Sequence, residues 1–152
     1  MDTPSESSVQ WTVQLDPLTL ALGFPHLQVE RAFGDHLAVY TGPHLRLFDG
    51  ILSQEPEDYI GLGWELGVRY FPFGAAPTGF WTSLRGVGAR ITAGDLSTFG
   101  GYASALAGYT LVLGERWVLA GGAGVQYLHY YIDGMGTRGI APALHTAFGV
   151  AW

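Results

Sequence analysis

The chain has 152 residues, 48% of them hydrophobic and only 13% charged, with 23 glycines and no cysteine. A soluble domain carries about a quarter charged residues, so this is one domain in an unusual solvent, and the missing cysteines exclude disulfides and thiolate metal sites. The net charge is −6, all seven bases are arginine, and no basic stripe exists to displace counterions from phosphates, which excludes nucleic acid as a partner.

Residues 1–8 (MDTPSESS) are polar and acidic and read as a flexible extension to a domain over residues 9–152. They are the reverse of a secretory signal. For an exported protein the simplest account is a mature form with its signal removed and a start Met added. The first alternating segment sets Val9, Trp11, Val13 and Leu15 against Gln10, Thr12, Gln14 and Asp16. Asp16-Pro17 interrupts it, and Leu18, Leu20 and Leu22 then shift the apolar face by one residue, which predicts a bulge at Pro17. Leu27, Val29 and Phe33 oppose Gln28, Glu30 and Ala32, with Arg31 breaking the apolar face near the strand's end. After a turn at Gly34-Asp35, Leu37, Val39, Thr41, Pro43, Leu45 and Leu47 oppose Ala38, Tyr40, Gly42, His44, Arg46 and Phe48.

Asp49 to Asp58 (DGILSQEPED) is the longest break. Beyond it the alternation is clearest: Ile60, Leu62, Trp64, Leu66, Val68 and Tyr70 on one face, Gly61, Gly63, Glu65, Gly67 and Arg69 on the other. A turn from Gly74 to Gly79 leads to a strand in which Leu84 faces with the apolar set and Arg85 against it. A slip near Gly86 would then place Val87, Ala89 and Ile91 on the apolar face and Arg90 opposite. The uncharged runs Leu96–Gly114 and Trp117–Ile132 invite a helical-hairpin reading. Their repeated glycines and the tight Gly114-Glu115-Arg116 connection favour two strands instead. After a break from Asp133 to Gly139, Ile140, Leu144, Phe148, Val150 and Trp152 oppose Ala141, Ala143, His145, Ala147, Gly149 and Ala151.

The sense of this alternation decides the class. In a soluble barrel the bulky face would fill the inside, leaving an outer surface of Gly, Ala and a few charges, too few for solubility. With bulky residues facing lipid and small or polar ones facing a narrow lumen, the pattern fits a transmembrane barrel. The expectation is an all-β, eight-stranded antiparallel up-and-down transmembrane β-barrel. Its short turns at Gly34, Gly74 and Gly114 lie on one side, with both chain ends, and its longer breaks on the other. Aromatic girdles are expected at the two interfaces: Trp11, Tyr70, Phe71, Phe73, Phe80, Trp81, Trp117 and Trp152 at the turn side, Tyr127, Tyr130 and Tyr131 at the other. Inside, Glu30, Glu65, Arg46, Arg69, Arg85 and Arg90, with Asp16 and His44 nearby, are expected to pair into a network that fills the lumen, because an unpaired charge in so narrow a barrel is costly.

At this point the chain resembles the small outer-membrane barrels of the OmpA transmembrane domain, OmpX and OmpW kind. The likeness covers nearly everything after Ser8. It is carried by the alternation, the turn-and-loop asymmetry and the C-terminal strand Ile140 to Trp152, which closes on an aromatic. The stretch Trp11 to Phe33, with Asp-Pro-Leu and Val-Glu-Arg-Ala-Phe, is also similar to uncharacterised small barrels of Gram-negative bacteria. The resemblance implies location in a bacterial outer membrane, contact with outer-membrane lipid and lipopolysaccharide, and a C-terminal strand read by the barrel-assembly machinery. None of these motifs specifies an activity; the plugged polar lumen leads to the expectation of a structural role or a part in an outer-membrane assembly. A narrow gated pore is the alternative.

No enzyme activity, cofactor or metal is expected. Lipid A deacylases of this barrel size carry His and Ser two residues apart on one strand face, so that the histidine activates the serine. Here His145 is followed by Ala147 and His129 by Tyr131. The five histidines have no metal spacing, and Gly61-x-Gly63 and Gly122-x-Gly124 precede no helix that would hold a pyrophosphate. Gly63-Trp64 and Gly79-Phe80-Trp81 sit wrongly for a soluble lipocalin, whose calyx would also be apolar. Glu55, Glu57 and Asp58 make the longest loop acidic, able to meet a partner or bridge divalent cations on lipopolysaccharide.

Overall fold

Period-two alternation becomes eight strands: β1 (Trp11–Leu15), β2 (Leu27–Phe33), β3 (Leu37–Leu47), β4 (Tyr59–Tyr70), β5 (Gly79–Ala93), β6 (Leu96–Leu113), β7 (Trp117–Ile132) and β8 (Met135–Ala151). Each pairs antiparallel with its neighbour in sequence, and β1 pairs with β8, closing the sheet into a barrel. The structure, a computed structural model, describes residues 9–21, 25–47, 59–132 and 135–152. The N-terminal extension, Leu22, Phe48, the longest break, Asp133 and the Arg46 side chain therefore lie outside the described residues.

The two uncharged runs are β6 and β7, paired in unbroken register from Gly101↔His129 to Leu113↔Trp117. Their connection is the three residues Gly114, Glu115 and Arg116. Gly114 and Glu115 both have positive φ, 60° and 55°, and the Arg116 amide donates to the Leu113 carbonyl at 3.2 Å. That backbone matches the right-handed twist of the strands it joins.

Two register changes expected from the sequence do not occur. Pro17 makes no bulge: β1 ends at Leu15, and Pro17–Ala21 forms a short helix, α1. Asp16 caps it, its Oδ1 accepting the amides of Leu18 at 3.0 Å and Thr19 at 3.1 Å. Proline suits the first helical position because its missing N–H would have no partner there. Nor does β5 slip at Gly86. Its pairing with β4 runs from Tyr59↔Ala93 to Tyr70↔Thr82 without interruption, so parity holds. Val87, Ala89 and Ile91 point inward, and Arg90 lies exposed on the outer wall opposite Leu62.

The wall is uneven. A tilted strand needs about 9–11 residues to cross a bilayer; β5 to β8 have 15, 18, 16 and 17, whereas β1 and β2 have 5 and 7. On the low side α1 is tied to β8, where the Thr146 hydroxyl donates to Asp16 Oδ1.

Candidate functional site: the barrel interior

Parity sorts the side chains into an apolar outside and a mixed inside. Leu62, Trp64, Leu66, Leu84 and Ile140 are among the large hydrophobic residues exposed on the outer wall, Ile140 at 82%. Glu30, Glu65 and Arg69 are fully or almost fully buried inside, at 0%, 0% and 1% exposure.

The interior is layered. Its floor at the short-turn end is apolar: Val9, Val118 and Ala151 pack together, beside a cluster holding Ala38, Phe71, Ala76 and Trp81. Val9, placed by the alternation on the lipid face, turns under the barrel instead. At the other end Ala89, Ile91 and Tyr130 pack with Tyr102 and Leu128. The polar groups lie between these two apolar layers.

Glu30 and Arg69 form the first node. Arg69 Nη1 donates to Glu30 Oε2 at 2.6 Å, and Gln14 Nε2 donates to the other carboxylate oxygen at 3.3 Å and to Thr12 Oγ1 at 2.6 Å. The guanidinium is held between two rings, 4.8 Å from Tyr40 and 4.6 Å from Trp81, a placement that suits the negative face of an aromatic ring. Its Nη2 lies 2.8 Å from His145 Nε2. Arginine has only donors, so Nε2 accepts and the imidazole proton sits on Nδ1.

Glu65 makes the second node. One of its oxygens lies 2.9 Å from His26 Nε2, the other 3.7 Å from Arg85 Nε. Arg85 Nε also donates to Ser104 Oγ at 2.9 Å, and its guanidinium lies 5.3 Å from the Tyr102 ring. His26 and His44 meet edge to face at 5.7 Å, and His44 meets Tyr102 at 5.6 Å. Two glutamates and two arginines thus cancel in charge, which lowers the penalty of burying either sign.

Of the residues expected in the lumen, the structure brings Glu30, Glu65, Arg69 and Arg85 together. It does not bring Arg90, which lies outside. Asp16 is buried but serves α1 and Thr146 rather than the network. The girdle residues Trp11, Tyr70, Trp117, Tyr127, Tyr131 and Trp152 lie exposed on the wall, with Phe73 and Phe80. Trp81, Tyr130 and Phe71 do not: all three are inside, at 0%, 1% and 0% exposure. Trp81 fits because Gly108 and Gly122 leave room, a β-carbon at either falling within 2.6 Å of the ring. Tyr130 packs on Tyr102, their rings 6.3 Å apart.

His26, His145, Gln14 and Tyr40 complete the nodes and carry no sequence motif; parity alone marks the three on strands, and His26 sits one residue before β2, bridged to His44. Both serines buried inside bond away from histidine, Ser83 Oγ to Tyr40 OH at 2.8 Å and Ser104 to Arg85. No acyl-transfer dyad forms among the described residues. Nor do three His, Asp or Glu side chains among them converge as a metal site. Neither protein-family profiles, nor curated proteins, nor solved structures give a match to this chain.

Proposed function

We propose that the chain is an outer-membrane barrel whose sealed lumen makes it a structural element, or a component of a larger membrane assembly, rather than a conduit. One observation carries the reading: the wall is inside out for water, with large hydrophobic side chains exposed and both strand glutamates turned inward. The outer faces of the described strands hold no Asp or Glu at all, only Arg31, Arg90 and Arg138 among charged groups. Arg31 lies 5.0 Å from the rings of both Trp11 and Phe33. Cations beside aromatic rings suit the headgroup region, where a lipid-facing arginine costs about 0–1 kcal/mol instead of the 2–4 kcal/mol of the bilayer centre.

The plug speaks against a gated pore. A path through the barrel must cross apolar packing at both ends as well as the paired charges. Refolding into detergent micelles should give a β-rich circular dichroism spectrum and a gel mobility that shifts on boiling. In planar bilayers the wild type, and the variants Glu65→Ala and Arg69→Ala, should stay silent. Discrete conductance steps in the wild type would replace this reading with the pore. Full solubility without detergent would remove the membrane.

A further inference from the structure

The outer wall is not evenly covered. Across β4 to β7, and reaching Ile140 on β8, two adjoining depressions, about 520 and 620 Å³, share Val68, Leu84, Ala105 and Val125 and form one trough. Its floor is small, made of Gly86, Ala103, Ala105, Ala107 and Ala123. Leu66, Val68 and Tyr70 rise on one flank and Val125 and Tyr127 on the other. The register explains the shape, since Gly86↔Ala103 and Ala107↔Ala123 put small residues side by side on neighbouring strands.

The trough has a polar end. Ile140 lines its upper part, and Arg138, two residues away on the same face of β8, stands about 7 Å higher along the strand. Arg138 is fully exposed, opposite His129, and its Nε donates to the Tyr127 hydroxyl at 3.3 Å. Tyr127 belongs to both features: its side of the strand flanks the trough and its hydroxyl steadies the guanidinium. With no acidic group on the outer faces of the described strands, nothing there neutralises this cation.

We propose that this trough and Arg138 form one site for a single membrane lipid, with an acyl chain along the alanine floor and an anionic phosphate headgroup at Arg138 and His129. An occupant of this chemistry follows from the arrangement. The groove is apolar along its length, a guanidinium stands beyond its Ile140 end, and guanidinium and phosphate match in charge and in hydrogen-bond geometry. The site rests on the membrane reading above and adds to it a partner at a fixed place on the wall.

The test uses the full chain refolded in zwitterionic micelles, with the boiling-dependent gel shift as the check on folding. Native mass spectrometry then counts retained lipid after addition of phosphatidylglycerol or, separately, phosphatidylcholine. The wild type should hold one phosphatidylglycerol in preference to phosphatidylcholine. Arg138→Gln should lower that preference about fivefold, the effect of one basic residue at a charged lipid surface. Ala105→Leu, which fills the floor, should lower retention of both lipids with the gel shift intact. Arg31→Gln removes the same charge from the opposite rim and should leave the preference near wild type. Unchanged preference in Arg138→Gln, an equal loss in Arg31→Gln, or unchanged retention in Ala105→Leu would each overturn the site while the membrane reading stands. A chain that enters neither micelles nor vesicles overturns both.

Discussion

The two halves of the barrel interior are built by opposite means. The half formed by β1 to β4 extends long polar side chains inward: Gln14, Gln28, Glu30, Tyr40, Glu65 and Arg69 are all buried. The half formed by β6 to β8 presents mainly Gly108, Ala120, Gly122, Gly124, Ala143, Ala147 and Gly149 at the inward positions that face them. An eight-stranded barrel is just wide enough for its side chains to fill, so a guanidinium can reach across only where the far wall gives way. Arg69 touching His145 on β8 is such a reach across the barrel, and the Trp81 ring, from β5, lies over Gly108 and Gly122 of the next two strands, where the wall leaves it room. The many glycines are therefore half of a packing scheme. Most of the charge comes from β1 to β4, with Arg85 added by β5, and most of the space from β6 to β8.

Removing the charge from the polar half should have the largest effect. Arg69→Ala leaves Glu30 buried without its cation, and breaking a buried pair from one side costs about 3–5 kcal/mol. The urea midpoint of the refolded protein in micelles should fall accordingly. Pairing Arg69→Met with Glu30→Gln should recover most of the loss, because the uncompensated charge is then gone. If Arg69→Ala were neutral, the polar half would not depend on its ion pair and the comparison would fail.

Removing the space from the other half comes next. A β-carbon at Gly122 would meet Trp81 Cη2 at 2.6 Å and the Ala107 carbonyl oxygen at 2.9 Å. Overfilling of this kind costs about 1–3 kcal/mol. Gly122→Ala should therefore lower the urea midpoint and shift Trp81 fluorescence, whereas Gly121→Ala, whose β-carbon meets nothing within 4 Å on the outer face, should change neither appreciably. Equal effects at the two glycines would mean that backbone freedom, not room for Trp81, explains them.

How far the interior could be read from sequence follows from the same layering. Strands β3, β4 and β8 were legible because their inward residues are small or charged and their outward ones bulky, as at Leu62-Gly63-Trp64-Glu65. The reading failed where the interior is itself apolar. Val87, Ala89 and Ile91 look like lipid-facing residues, and placing them there requires a slip at Gly86 that sends Arg90 inward; instead all three are buried inside, Ala89 and Ile91 as part of the upper plug. Trp81 and Tyr130 were misplaced for the same reason, since aromatic character alone does not separate a girdle from a plug. The partners in the two nodes, His26 on Glu65 and His145 on Arg69, come from segments distant in sequence and leave no local pattern.

The smallest effect tests the low side of the polar half. β1 is too short to reach as far as β8, and α1 takes over where it stops. Asp16 makes that handover, its carboxylate accepting two amides at the start of α1 and the hydroxyl of Thr146 on β8. Losing a helix cap costs about 1 kcal/mol, so Asp16→Ala should lower the urea midpoint by less than either interior change. The loss should be local: hydrogen exchange at the amides of Leu18 and Thr19 should quicken, while those of β6 and β7, paired on both sides and far from α1, stay protected. Asp16→Asn keeps an oxygen acceptor for the amides and should restore most of the protection. Uniform quickening around the whole barrel would show instead that α1 and the low wall are part of one cooperative unit with the tall wall, and that the two halves differ in composition but not in stability.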